Sequence, residues 1–527
     1  LMTENLRKAR ATYHYILRGD PDGEEWIPRF TYHGFQFVEV TGLPHEPSLD
    51  TVTGLVLHND TPMASGFECS DPVINQLFKN ITRTQRANFV ELPTDCPQRD
   101  ERMGWMGDAQ IYIRSATINA DVAAFFTKWL DDVEESQRSF GAYPDYAPYP
   151  MQHGGSGKSF GTAWMDAGII CPWNIWKVYG DTRIIERHYD SMIRFMEFRS
   201  AISPKHGGIS IGNGWGDWLN VDDPTPVEYI DACYFAWTSQ LMAEMAGAVG
   251  NESDAAFYTD LYGKIKAAFA RDYVAKDGSL VVQSQTAHVL ALAFNLLNEK
   301  QQKIAADRLA AQIAKNNYRM TTGFLGTKEL LPVLSAHGHH DLAVRLFQSR
   351  EFPSWGYEVV NGATSIWERW DSYTKEDGFG RHNAAMNSFS HYAFGAVCEW
   401  MFRTLAGIDS DDPGFRHLVL QPSPPAPGSN PVNTPIHWVK AHHDSINGRI
   451  VSNWKLENGV FTYDVTVPAN TTASVFLPAA AIEDVAESGR PVGRSDLIKN
   501  RPEKDHPVVL EIGAGSYSFR CKYANVR

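Results

Sequence analysis

The chain has 527 residues, 43% hydrophobic and 21% charged, with a formal net charge of −14. That length exceeds what one hydrophobic core normally organises, so two or three domains are expected of an ordinary globular composition. An acidic balance with no basic stripe offers no counterion release on phosphate backbones, which excludes nucleic acid as an expected partner. No run approaches about 18 uninterrupted apolar residues, so no membrane partner is expected, and the opening LMTENLRKAR lacks a hydrophobic signal core.

Residues 1–68 read as β-rich. FTYHGFQFVEV sets Phe35 and Phe37 on alternate positions, and Thr51 to His58 is a second strand-like run. So short a segment is expected to be the end of a β-sandwich, or an edge packed on the helical part of the chain. From Ser70 the period changes: Ser70 and Asp71 offer a cap, Pro72 suits a first helical turn, and Val73, Leu77 and Ile81 recur at helical spacing. Val122, Phe125, Phe126, Trp129, Leu130 and Val133 form a second stripe. Helical segments continue at 162–178, 183–201, 228–249, 254–271, 286–297, 300–315, 327–350 and 384–406. Roughly ten to twelve helices with few strands between them predict an all-α unit over 69–412, and the lack of a fixed-period repeat favours a closed double ring over an open solenoid. The proline-rich stretch Gln421 to Pro435 cannot continue a helix. Beyond it Asn447-Gly448 and Asn458-Gly459 are hairpin signals, the second joining WKLE to VFTYDVTV, so 413–527 reads as a C-terminal β-sandwich.

The 15 Trp, 21 Tyr and 27 Phe often stand beside Asp, Glu, His or Gly. Such mixed segments suit sugar binding, in which a ring packs on the C–H face of the sugar; filling a large core is the alternative use. Six scattered cysteines, Cys69, Cys96, Cys171, Cys233, Cys398 and Cys521, form no CxxC pair, so free or buried thiols are expected rather than zinc or a disulfide framework. Sequons at Asn59, Asn80, Asn251 and Asn470 are short enough to arise by chance.

The most unusual segment is LPTDCPQRDERMGWMGDAQ, from Leu92 to Gln110, which gathers Asp95, Asp100, Glu101 and Asp108 with Arg99 and Arg102 around Trp105. If it is helical from Glu101 onward, then Glu101, Trp105 and Asp108 share one face. Crowding Asp95 and Asp108 beside Glu101, against an indole, would help a general acid keep its proton. The competing reading is a charge-paired helix start, where acids are favourable in the first turn. Glu368, between Trp367 and Arg369, has a similar competitor in an ordinary ion pair.

The run DCPQRDERMGWMGDAQ closely resembles the signature of the bacterial α-L-rhamnosidases, glycoside hydrolase family 78. The likeness continues in FTYHGFQFVEVTG, in WMDAG and YGD between Trp164 and Asp181, in GDWLN at Gly216 to Asn220, in TSIWERWDS at Thr364 to Ser372 and in SFSHYAFGAVCEWMF at Ser388 to Phe402. The resemblance implies an (α/α)6 barrel flanked by β domains, and an inverting hydrolase without cofactor or metal that acts on small rhamnosides or rhamnose-containing oligosaccharides. It implies Glu101 as general acid and Glu368 as general base. Asp95, Arg99, Trp105 and Asp108 match positions that hold the rhamnose, and Trp164, Trp215, Asp217, Trp218, Trp367 and His391 look like further pocket residues.

An inverting site needs its acid and base on opposite faces of the anomeric carbon, roughly 6.5–9.5 Å apart, and a closed helical ring can bring two sequence-distant glutamates to that spacing. Members of the family usually carry further β domains ahead of the barrel. The matching region here begins partway through one, so any N-terminal sugar-binding module is expected to be absent or to lie upstream of this sequence. Other readings are another (α/α)6 enzyme such as an α-L-fucosidase or glucoamylase-like hydrolase, a lyase using a Tyr or His base, and a non-catalytic sugar-binding protein. Clustered acids weigh against the last. A homodimer and a cytoplasmic or secreted location are both open.

Overall fold

The computed structural model describes residues 3–150, 160–206, 208–379, 384–494, 498–503 and 506–524. Its helices are α1 (Pro72–Asn88), α2 (Met106–Asn119), α3 (Ala123–Glu135), α4 (Ala167–Tyr179), α5 (Arg183–Ile202), α6 (Val227–Ala248), α7 (Glu252–Tyr273), α8 (Gln285–Ala293), α9 (Glu299–Lys315), α10 (Phe324–Ala336), α11 (His340–Phe347), α12 (Trp355–Val360) and α13 (Val397–Trp400). Helix α1 starts as its sequence predicts: the Asp71 carboxylate accepts from the Val73 N–H at 3.0 Å, and Pro72 takes the first helical position.

Burial alternates along the chain. Helices α2, α4, α6, α8 and α10 are buried on nearly every side, whereas α1, α3, α5, α7 and α9 bury one stripe each and face water with the rest. The buried helices touch in the order α2, α4, α6, α8, α10, and Ala393 to Ala406 closes the circuit by packing on both α10 and α2. The result is the expected (α/α)6 barrel, an inner ring of six segments within an outer layer. The stripe of α3 is buried as its period requires: Phe125, Phe126, Trp129, Leu130 and Val133 all face inward.

The aspartate of WMDAG serves this ring. Arg199 on α5 bonds Asp166 at 3.0 Å and Asp231 at 2.8 Å, all three side chains fully buried, so one guanidinium ties α4, α5 and α6 together. In YGD, Gly180 ends α4 in the left-handed conformation that glycine adopts without strain.

Within residues 3–62 no strand ladder is formed among the described residues, and Phe35 and Phe37 on their alternate positions are exposed. Two expectations are corrected. First, 327–350 is two helices, separated where Gly338 turns at positive φ. Second, 384–406 is a short 3-10 turn at Ala384–Met386, another at Ala393–Ala396, then α13 and a π-helical turn at Met401–Ala406. Here tertiary packing overrides periodicity: Phe394 stacks on Trp370 at 4.0 Å between ring centroids.

Two sheets form the C-terminal part. The seven-stranded sheet runs Ser65–Cys69, Trp438–Ser445, Gly448–Glu457, Val460–Val467, Gly515–Lys522, Val485–Glu487, Arg490–Pro491. The five-stranded one runs Lys499–Asn500, Val509–Ile512, Thr472–Phe476, His417–Leu420, Ile408–Ser410. Asn458 and Gly459 turn with φ of 51° and 74°, the paired positive values of a type I′ hairpin, and Phe461, Tyr463, Val465 and Val467 are buried as their alternation requires. The other hairpin turns one residue early, at Ile446–Asn447, with Ser445 opposite Gly448. This sheet is fastened to the barrel: the Trp454 indole donates to the Leu405 carbonyl at 2.8 Å and the Ser452 hydroxyl to that of Ala406 at 2.6 Å. All six cysteines are buried and free. Among the described residues no helix is long and apolar enough to cross a membrane.

Candidate active site

The acidic and aromatic residues gather where the inner helices begin. Asp108 lies in the first turn of α2, Asp166 precedes α4, and His391 stands just before the Ala393–Ala396 turn. Helix N-termini carry partial positive charge, which favours carboxylates at this end of the ring.

Arg99 is the centre of the cluster and is fully buried. Its two terminal nitrogens reach both oxygens of Glu368, at 3.0 and 3.3 Å, and Glu368 is only 2% exposed. Its Nε lies 3.1 Å from Glu101, off the line of a good hydrogen bond, and Asp95 stands 3.5 Å from Nη2. The same Oε2 of Glu101, a residue 17% exposed, accepts from Arg7 at 2.6 Å, and Arg7 also pairs with Asp100 at 2.9 Å. Two glutamates touching different nitrogens of one guanidinium can be at most roughly 8 Å apart, a span that overlaps the separation leaving room for a water between an acid and a base.

Asp95 and Asp108 flank this pair. Burial pushes the Asp95 carboxyl up to about 7; His391 and Arg99 oppose that rise, and Glu101 and Asp108 add to it. One Asp95 oxygen accepts from the Met103 N–H at 3.0 Å; the other, buried, has no hydrogen-bond partner in the protein. His391 Nε2 meets Asp108 at 2.7 Å. Burial resists the imidazolium charge, but Glu368, Asp108 and Asp95 outweigh it and lift His391 to about 9. His391 Nδ1, Trp105 Nε1 and Gln98 Nε2 are likewise buried without a protein partner. Unsatisfied buried polar atoms are rare in folded proteins, and four in one cluster mark a place where a polar ligand would supply the missing bonds.

An aromatic wall completes the site. Trp215 is edge-on to Trp105 at 6.1 Å, tilted against Trp164 at 6.5 Å and edge-on to Trp218 at 6.0 Å. Gly107 on α2 lets Trp164 approach, since a β-carbon there would stand 2.4 Å from the indole.

The structure thus brings together Asp95, Arg99, Glu101, Asp108, Glu368 and His391, with Trp105, Trp164, Trp215 and Trp218 alongside. Three details differ from expectation. The stretch from Glu101 to Gly104 is not helical, so Glu101 does not share a helix face with Trp105 and Asp108. A β-carbon at Gly104 would meet the Ala147 carbonyl at 2.2 Å, so this loop is set by its neighbours rather than by propensity. Asp217 is not turned to a sugar: it is buried, and accepts from the backbone N–H groups of Gly323, Leu325 and Gly326 at 2.7, 2.8 and 3.2 Å and from Thr286, capping α10. Trp367 is buried edge-on against Phe389.

Sequence reasoning missed Arg7, which nothing in its surroundings announces, and Asp145, an acid amid the aromatics and prolines of YPDYAPYP. It also missed Glu358, buried below Trp367, whose carboxyl is raised by burial and accepts from the Trp367 N–H at 3.4 Å. Elsewhere, a cavity of about 280 Å³ lies on the seam of barrel and sandwich, lined by Ser335, Gln421, Phe476 and His506 among others, with no carboxylate in its walls. Among the described residues no group of three or more His, Cys, Asp or Glu could hold a metal.

Comparison with known proteins gives a consistent picture. Residues 62–405 match the family model of the bacterial α-L-rhamnosidase six-hairpin glycosidase domain, 407–490 that of the C-terminal domain, and 1–58 that of the concanavalin-like domain. The chain is 41% identical over 522 residues to an α-L-rhamnosidase of Streptomyces avermitilis, covering 98% of this chain and 48% of that one. A second α-L-rhamnosidase, from Formosa agariphila, is 35% identical over 99% of this chain and 56% of its own. The crystal structure of the Streptomyces enzyme complexed with L-rhamnose superposes with a TM-score of 0.90 over 99% of this chain and 48% of that chain. The α-L-rhamnosidase from Aspergillus terreus, 30% identical, superposes with a TM-score of 0.87 over 100% of this chain and 58% of that chain. The chain spans about half the length of the curated relatives it matches.

Proposed function

The chain belongs to the bacterial α-L-rhamnosidase family, and from that premise we propose that it hydrolyses terminal α-L-rhamnosides with inversion, Glu101 serving as general acid and Glu368 as general base. The observation that carries this reading is the pair of glutamates on one buried guanidinium, ringed by buried polar atoms without partners. In this reading the sugar's hydroxyls bond Asp95, Trp105 and His391, and its C–H face lies on the tryptophan wall.

The two glutamates share Arg99 but differ in exposure and in their other contacts. Glu368 is buried and bridged by both terminal nitrogens of Arg99, which fixes its oxygens to receive a proton from water. Glu101 stands at the rim, more exposed, on the side from which a leaving group departs. His391, positively charged at neutral pH and bound to Asp108, offsets the negative charge of the cluster and keeps a ring N–H available for a hydroxyl. The substrates favoured are small glycosides and oligosaccharides ending in rhamnose.

A panel of p-nitrophenyl glycosides tests the assignment. Release from α-L-rhamnoside at least about a hundred-fold faster than from α-L-fucoside or α-D-glucoside supports it, given how strongly a site built to bond hydroxyls rejects misplaced ones. Preference for another sugar would overturn it.

A further inference from the structure

Trp215 is the most exposed member of the aromatic wall, at 45%. It lies outside any helix or strand, between Gly214 and Gly216, whose φ values are 157° and 71°. Gly214 is bridged to Thr162, while a β-carbon at Gly216 would meet nothing within 4 Å, so the chain is open on the Gly216 side of the ring. One buried carboxylate holds it: Asp145, 2% exposed, accepts from the Trp215 indole N–H at 3.1 Å with one oxygen and from the Gly161 backbone N–H at 2.6 Å with the other.

The same residue reaches the opposite side of the wall. The Asp145 carbonyl accepts from the Met106 N–H at 2.8 Å, at the start of α2, and Tyr146 forms a backbone bridge to Trp105 and packs against its ring at 5.0 Å. Asp145 thus joins Trp105, Trp215 and the Gly161 loop at one point, without touching Glu101 or Glu368.

We propose that Asp145 is a positioning residue that tethers Trp215 to complete the sugar-facing wall. This rests on the reading of the site as a rhamnoside pocket. Burial lifts the Asp145 carboxyl to about 6, consistent with a group kept for its two acceptor oxygens at the expense of a desolvated charge. Asparagine would fill the same volume but has one carbonyl oxygen for two N–H donors, so it must release either Trp215 or Gly161.

Steady-state kinetics on p-nitrophenyl α-L-rhamnoside would compare wild type, Asp145→Asn, Trp215→Phe and the double variant. Losing a hydrogen bond to a charged acceptor predicts a KM raised about ten-fold in each single variant, with kcat within about three-fold of wild type. The double variant should be no worse than the more impaired single one, because both substitutions cut the same contact. Multiplicative losses, or a fall in kcat at unchanged KM, would overturn the proposal. If Asp145→Asn fails to fold, Trp215→Phe removes the donor with Asp145 intact and must show the KM effect alone.

A readout independent of substrate separates this from the functional assignment. With 5-fluorotryptophan incorporated, the fluorine resonance missing from Trp215→Phe identifies Trp215. In Asp145→Asn that resonance should narrow and move toward its solvent-exposed position. An unmoved resonance overturns the tether even in an active enzyme. An inactive wild type whose resonance does move overturns the rhamnoside reading and leaves the tether standing.

Discussion

Replacing Arg99 by methionine removes the charge on which Glu368, Glu101 and Asp95 converge at 3.0, 3.1 and 3.5 Å. Arg99 is fully buried and Glu368 nearly so, and water cannot screen what is left behind. Removing one partner of a buried ion pair typically costs about 3–5 kcal/mol, most of it the cost of the stranded charge. Glu101 keeps Arg7, so its share is small, and a loss of about 4 kcal/mol is expected. Arg99→Lys keeps a point charge but cannot span both Glu368 oxygens while facing Glu101, so about half of that loss should remain. Its kcat/KM should fall about a hundred-fold as the base loses its alignment. Equilibrium urea unfolding at neutral pH, followed by circular dichroism, measures the stabilities. An Arg99→Met variant within about 1 kcal/mol of wild type would refute the view that this guanidinium holds the cluster together.

Two further outcomes are expected of the site. His391 is held at about 9, above the ordinary imidazole value, so its contribution to stability is complete below about pH 6.5 and is lost as pH rises through 9. Wild-type stability should therefore decline across that interval, and His391→Asn should decline less steeply; parallel curves in thermal or urea unfolding would contradict the pairing with Asp108. Asp217→Ala should act as the loss of a helix cap and cost about 2 kcal/mol or more in unfolding free energy, because three backbone donors, Gly323 just before α10 and two in its first turn, lose their acceptor. KM for a rhamnoside should stay within about two-fold of wild type, and a large KM effect in a stable variant would return Asp217 to the pocket.

The barrel was legible because its outer helices carry stripes, such as that of α3, that only a 3.6-residue period explains. The hairpin at Asn458-Gly459 was legible through its turn residues alone. Extended, alternating residues near the N-terminus are a different case: the pattern is in the sequence, but a ladder needs a partner strand. The Glu101–Gly104 loop looked helical by composition and is shaped instead by Gly104 pressing on Ala147. Asp217 reads as a pocket acid until α10, over a hundred residues away in sequence, is seen to start on it. Asp145 and Arg7 carry no local signal, since their roles arise only where distant segments meet.

The most direct test of the two-glutamate account is the rate and stereochemistry of p-nitrophenyl α-L-rhamnoside hydrolysis by wild type, Glu101→Gln and Glu368→Gln, with the released sugar followed by proton NMR. The account predicts β-L-rhamnose as the first-formed anomer from wild type and losses of several orders of magnitude in both variants. First-formed α-L-rhamnose, or near-normal turnover by either variant, would contradict it.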